Sequence, residues 1–292
     1  MKLNVAMAQI NTVLGNVEQN LEKHLDLIEQ ARRAGADLIT FPELSLTGYA
    51  LQDLTPTVAC RPLPDDPVFN PLLVASQDID IQVGFVEEDE RNLFYIATAF
   101  RSGGAVRHIH HKVYLPTYGF FDEGRFFARG ESVRAFDTRF GRVGMLICED
   151  FWHASSPYML WLDGADLFLF TSASPGRGIT PTPHNTAPGR TESARWVNDI
   201  IRAYAGMFTT FVVHTNRAGF EDGIHFWGGS SAFSPDGEPL VNGVEHAEAL
   251  VLAELDLSQL RRTRTRLPLL RDERTSLVQR EITRIITRNA DG

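Results

Sequence analysis

Residues 33–39 read Arg33-Ala34-Gly35-Ala36-Asp37-Leu38-Ile39, and residues 162–168 read Leu162-Asp163-Gly164-Ala165-Asp166-Leu167-Phe168. In both copies a helical pattern runs up to the glycine and an apolar strand starts after the second acid-flanked position. A glycine there suits the end of a helix, where the chain needs a positive φ. The echo predicts two structurally similar halves, each packing helices on a sheet. Outward from it, short apolar runs alternate with helical patterns. Residues 3–9 read as a first strand, and Val17, Leu21, Leu25 and Ile28 then recur at helical spacing behind the cap residue Asn16. Further strands are expected at residues 38–41, 79–86, 93–100, 143–147, 167–170 and 211–214. Strands alternating with helices predict an α/β layered fold.

The composition is that of an ordinary globular protein, with 43% hydrophobic and 22% charged residues over 292 positions. The formal charge of −9 has the wrong sign for general attraction to nucleic acid or to anionic lipid. Small molecules or other protein chains are the expected partners. Two cysteines, Cys60 and Cys148, are too few for a disulfide framework or a four-cysteine zinc site. No uncharged apolar stretch reaches about 18 residues, and a cytoplasmic location is expected. Residues 1–256 read as one domain. Residues 257–292 differ, with nine arginines against four acids, a net of +5 that leaves −14 on the rest. Val278, Ile282, Ile285 and Ile286 form an apolar stripe at helical spacing, so an ordered helix docked on the body or on a partner subunit is expected.

Three segments carry candidate chemistry. Cys148 ends the apolar run Val143-Gly144-Met145-Leu146-Ile147 and precedes Glu149-Asp150-Phe151-Trp152-His153. A strand end opens into the ligand crevice of a layered α/β fold, which suits a nucleophile. Glu43, in Phe41-Pro42-Glu43, follows another apolar strand, with Pro42 breaking the pairing. Lys112 lies in His110-His111-Lys112-Val113-Tyr114-Leu115-Pro116. An acid, a lysine and a cysteine at three strand ends supply a base, a positive charge for a developing oxyanion and a nucleophile.

With these surroundings the chain resembles the carbon-nitrogen hydrolase (nitrilase) superfamily, whose catalytic Glu, Lys and Cys occur in this order. The resemblance extends to the stretch from Lys112 to Glu123, to Thr171-Ser172-Ala173-Ser174-Pro175, to Asn216-Arg217-Ala218-Gly219 and to Trp227-Gly228-Gly229-Ser230. Thr47-Gly48-Tyr49, Leu115 to Glu123 and Cys148 to Trp152 look most like the glutaminase domain of glutamine-dependent NAD synthetases. The resemblance implies a four-layer α-β-β-α sandwich with two pseudo-symmetric halves, paired as a homodimer. In those synthetases an ATP-using domain follows, whereas this chain ends at Gly292, so a free-standing amidase is expected.

The implied activity is hydrolysis of a non-peptide carbon–nitrogen bond in a small carboxylic amide, through a thioester on Cys148 and without a cofactor. Glu43 is the general base, and Lys112 and the backbone N–H of Glu149 stabilise the oxyanion. The resemblance assigns Glu123 as a second pocket acid that positions Lys112 or the substrate, and Tyr118 as a pocket residue bonding substrate or Glu43. Trp152 is read either as lining the acyl pocket or as core between the halves, and Arg177 as a candidate for holding a substrate carboxylate. The same three catalytic groups serve N-carbamoyl amidohydrolases, glutaminases and nitrilases, and the loop of residues 176–190 that would separate them is unreadable. Three other readings compete: a metal site at His108, His110 and His111, a papain-like site with His153 or His214 as base, and a non-catalytic binding protein of the same fold. Cys60 has no assigned role.

Overall fold

The computed structural model describes residues 1–176 and 191–290. Its strands, in chain order, are β1 (Lys2–Gln9), β2 (Leu38–Thr40), β3 (Asp80–Glu88), β4 (Phe94–Ser102), β5 (Ala105–His111), β6 (Ala135–Thr138), β7 (Gly141–Ile147), β8 (Leu167–Ser172), β9 (Phe211–Asn216), β10 (Ala218–Glu221), β11 (Ile224–Trp227), β12 (Ser231–Phe233), β13 (Pro239–Asn242) and β14 (Ala249–Asp256). The helices are α1 (Val17–Arg33), α2 (Thr55–Val58), α3 (Phe69–Ala75), α4 (Glu123–Phe126), α5 (Ser155–Leu162), α6 (Glu192–Phe208), α7 (Ser258–Arg266), α8 (Leu269–Asp272) and α9 (Thr275–Ala290).

Two six-stranded sheets result, one in the order β14-β1-β2-β3-β4-β5 and the other β13-β12-β9-β8-β7-β6. Each has three parallel strands at its centre, β1-β2-β3 and β7-β8-β9, with antiparallel strands on both flanks. The period-two alternation of each strand divides its side chains between two layers. Leu3, Val5 and Met7 of β1 meet Met145, Leu167, Leu169 and Val213 between the sheets. Ala6 and Ala8 turn the other way, toward Ile28 and Ala31 of α1 and Leu72 of α3. Phe168 and Phe170 of β8 likewise pack under α5 and α6. The layers therefore run helix, sheet, sheet, helix.

The repeated heptad is matched bond by bond. Gly35 and Gly164 have φ of 78° and 84°, and the next residues, Ala36 and Ala165, donate to Ala31 O and Leu160 O at 3.0 Å each. The aspartates end the motif identically. The N–H groups of Asp37 and Asp166 donate to Asn4 O and Arg142 O at 2.8 Å each, and their carboxylates accept from Asn4 N at 2.9 Å and Arg142 N at 3.2 Å. Each aspartate thus fastens the start of the motif's strand to the strand before its helix. Asn16 caps α1 as expected, accepting from Gln19 N at 3.1 Å.

The Arg-rich segment begins on the body. Leu260 of α7 joins the core between the sheets, and Arg264 pairs with Asp166 at 2.5 Å. Farther along, α9 forms as its spacing requires, with Ile282, Ile285 and Ile286 exposed. No helix among the described residues is long and apolar enough to cross a membrane.

Two buried histidines, His24 and His214, support the two halves. His24 Nδ1 donates to Asn20 O at 2.6 Å and its ring stacks on Phe41, while His214 Nε2 lies 2.6 Å from Ser172 Oγ. Burial pushes both imidazoles from about 6.5 down to about 3. Between those values the unfolded chain binds more protons than the folded one, so stability is complete above about pH 6.5 and falls as the pH drops through the window. The loss is roughly 1 kcal/mol per pH unit for each histidine. Urea midpoints are expected to hold from pH 7.5 to about 6.5 and to fall from there to pH 4, with a shallower fall in His24→Gln; a slope unaltered by that change contradicts the assignment.

Candidate active site

Glu43 sits three residues past β2, on a tight turn in which Leu44 takes the left-handed conformation, φ 49°. Lys112 directly follows β5, and Cys148 directly follows β7 at the head of a short 3₁₀ turn, Cys148–Trp152, with φ 47°. Non-glycine residues in that region cost about 1 kcal/mol or more and are held only where the surroundings fix them. The first sheet therefore delivers the acid and the lysine, and the second delivers the cysteine. Cys148 packs with Leu44, Ile96 and Leu115, residues from the first half of the chain.

The polar core of the site is a buried ion triad. Lys112 Nζ donates to Glu43 Oε1 and to Glu123 Oε1, each at 2.7 Å, with the lysine side chain wholly buried. Burial disfavours its charge, but the carboxylates of Glu123 and Glu43 more than offset this and hold the ammonium protonated well above the ordinary lysine range. Glu43 Oε2 accepts from Ala173 N at 2.9 Å, so the Thr171-Ser172-Ala173-Ser174-Pro175 stretch orients the acid through its backbone. Burial, and then the charge of Glu43, push the Cys148 thiol well above the ordinary cysteine value, against the pull of Lys112. The resting cysteine is a thiol beside a carboxylate and an ammonium.

Glu123 opens α4 and lies in the wall of a cavity of about 390 Å³ whose lining includes Tyr49, Leu44, Ile96 and Phe127. Burial raises its carboxyl above the usual range, partly countered by Lys112. Tyr118, expected to bond substrate or Glu43, is half exposed and donates to Glu149 Oε2 at 2.9 Å. Trp152 is 44% exposed, which removes it from the core between the halves. Arg177 lies outside the described residues, as does the loop that follows it.

The three neighbouring histidines have separate tasks. His108 stacks on Phe136, His110 bonds Asp150 at 2.8 Å and His111 bonds Glu87 at 2.9 Å. His153 stacks on Tyr114 and His214 faces Ser172. Cys60 is buried and donates weakly to Val86 O, and burial raises its thiol too.

Sequence reasoning passed over Asp150, which braces the site. Its Oδ1 accepts from Val113 N at 2.9 Å and Tyr114 N at 3.0 Å, and its Oδ2 from Ile147 N at 3.1 Å and from His110 Nε2. One fully buried carboxylate thus ties the residue before Cys148 to the two that follow Lys112. The signal was present in the sequence, as an acid sealed between Cys148-Glu149 and Phe151-Trp152. Tyr49 was also missed, and it donates to Glu123 Oε1 at 2.5 Å.

Known proteins resemble this chain in sequence and in fold. The family model described as carbon-nitrogen hydrolase matches residues 4–265. The chain is 30% identical over 259 residues to a glutamine-dependent NAD(+) synthetase of Acinetobacter baylyi, covering 88% of this chain and 45% of that one. It is 29% identical to a nitrilase of Pyrococcus abyssi, covering 90% and 93%. The chain spans about half the length of the NAD(+) synthetases it matches. The crystal structure of a carbon-nitrogen hydrolase from Helicobacter pylori superposes with a TM-score of 0.82 at 20% identity, over 97% of this chain and 99% of that one, and so shares the fold.

Asp150→Ala strands four donors at once, two in buried and two in part-buried hydrogen bonds. Each unsatisfied buried group costs about 1 to 3 kcal/mol, so the variant is expected to lose at least about 3 kcal/mol in urea unfolding. A loss below about 1 kcal/mol contradicts the bracing role.

Proposed function

Because the chain belongs to the carbon-nitrogen hydrolase family, we propose that it hydrolyses a small carboxylic amide at a non-peptide carbon–nitrogen bond, through a thioester on Cys148. The observation that carries this reading is the buried Glu43–Lys112–Glu123 triad beside the thiol. Glu43 takes the thiol proton as sulfur attacks the amide carbon, since a raised thiol pKa leaves little thiolate in the resting state. The carbonyl π electrons move onto oxygen, and the oxyanion is met by the Lys112 ammonium and the Glu149 N–H. Glu43 returns its proton to the departing nitrogen, which leaves as ammonia or an amine. Water, deprotonated by the same carboxylate, then attacks the thioester and releases the acid and the thiol. Tyr118 and Glu149, joined to each other, together with Trp152 and Arg177, are proposed as substrate contacts.

A glutaminase reading uses the same steps on the side-chain amide of glutamine. It is favoured by the 30% identity to a glutamine-dependent NAD(+) synthetase across most of this chain. N-carbamoyl compounds and nitriles are the remaining alternatives.

A screen of ammonia release across glutamine, simple amides, N-carbamoyl amino acids and nitriles identifies the class. On the substrate found, Cys148→Ala is expected to release no ammonia above background. Lys112→Met is expected to lower kcat/KM by about 10² to 10³. Turnover by Cys148→Ala at the parent rate, or a Lys112→Met effect of only a few-fold, contradicts the respective role.

A further inference from the structure

A second set of residues converges on Glu123 from outside the triad. Tyr49 donates its hydroxyl to Glu123 Oε1, the oxygen that also takes Lys112 Nζ, whereas Oε2 is buried with no partner among the described residues. Tyr49 is itself clamped. Its backbone N–H and that of Ala50 both donate to Glu221 Oε1, at 2.8 and 2.7 Å. Glu221 Oε2 lies 2.7 Å from Arg217 Nη2, and both side chains are buried. The guanidinium lies over the Phe226 ring, 4.5 Å from its centre, and Nη2 also donates to Thr12 O at 3.1 Å. The junction leaves no slack at Gly48. Its φ is +84°, and a Cβ there would stand 2.7 Å from Glu221 Oε2 and 2.8 Å from Leu14 Cα.

We propose that Tyr49, clamped by the Glu221–Arg217 pair, is a positioning residue that keeps the Glu123 carboxylate ionised and fixed against Lys112; its effect on turnover rests on the hydrolase reading above. A buried carboxylate stays charged only while donors and positive charge face it. Glu123 has two such donors, Lys112 and Tyr49. Without the phenol it takes up a proton at higher pH, and Lys112 is then countered by Glu43 alone. An ammonium held wholly by Glu43 weakens that group as a base.

The test follows the Glu123 carboxyl carbon by ¹³C NMR in glutamate-labelled full-length protein, assigned by its absence from Glu123→Gln. In Tyr49→Phe the titration is expected to move up by about 1 to 2 pH units, the worth of one hydrogen bond to a charged group. The acid limb of kcat/KM is expected to move with it, while the rate at high pH stays within a few-fold of the parent. Glu221→Gln, which keeps the side chain's shape, is expected to shift both the same way by less, and it carries the test if Tyr49→Phe does not fold. An unmoved Glu123 titration overturns the proposal, as does a rate lowered equally at every pH. Failure of the parent protein to release ammonia from any amide contradicts the hydrolase reading instead, and the carboxyl titration then decides the Tyr49 assignment alone.

Discussion

The Lys112 ammonium, sealed from water between two carboxylates at 2.7 Å, is the interaction on which the rest of the site depends. Taking three charges out of water costs several kcal/mol per ion before attraction is counted, and replacing such a group by apolar side chains is often neutral or stabilising. Stability alone therefore gives a weak reason for the triad. Chemistry gives a stronger one. In the proposed hydrolysis a fixed positive charge needs no reorganisation when an oxyanion forms, and Glu43 is the group assigned to move protons on and off the thiol. Burial, and then the charge of Glu43, raises the thiol against the pull of Lys112. In the proposed hydrolysis, a raised thiol favours proton transfer concerted with attack over a standing thiolate.

The fold makes this contact possible by placing two copies of one architecture face to face. Glu43 and Lys112 leave strands of the first sheet, and Cys148 leaves a strand of the second. Neither half holds a complete site. Asp150 joins the approaches to Lys112 and Cys148 across that seam, and Ala173 reaches back from the second half to orient Glu43. Errors in sheet packing therefore translate directly into errors in the geometry of the candidate site, where, for the proposed chemistry, displacements of about 1 Å are costly.

Much of this was legible in the sequence, for identifiable reasons. The central strands β1, β2, β7 and β8 are apolar runs, and the Gly–Asp heptads announce the duplication because helix end and strand start need those residues locally. Strand β5 was hidden by its histidines and arginine, and β14 by Leu, Ala and Glu, which favour helices in isolation. Glu43, Lys112 and Cys148 could be picked out because each follows a strand. Asp150 and Tyr49 were harder, because their roles lie in hydrogen bonds to residues dozens of positions away. Glu221 is harder still, binding the backbone of Tyr49 across 172 positions. The apolar stripe of α9 was visible as a helix, yet the exposure of Ile282, Ile285 and Ile286 is not written in its spacing.

The most direct test of the thioester account is partitioning with hydroxylamine. Two amides sharing one acyl group but differing in the leaving amine are hydrolysed in the presence of hydroxylamine, and the ratio of hydroxamate to free acid is measured for each. A common acyl-enzyme on Cys148 predicts the same ratio from both substrates, whatever amine departed. A ratio that changes with the leaving amine contradicts a shared covalent intermediate, and with it the role assigned to the cysteine.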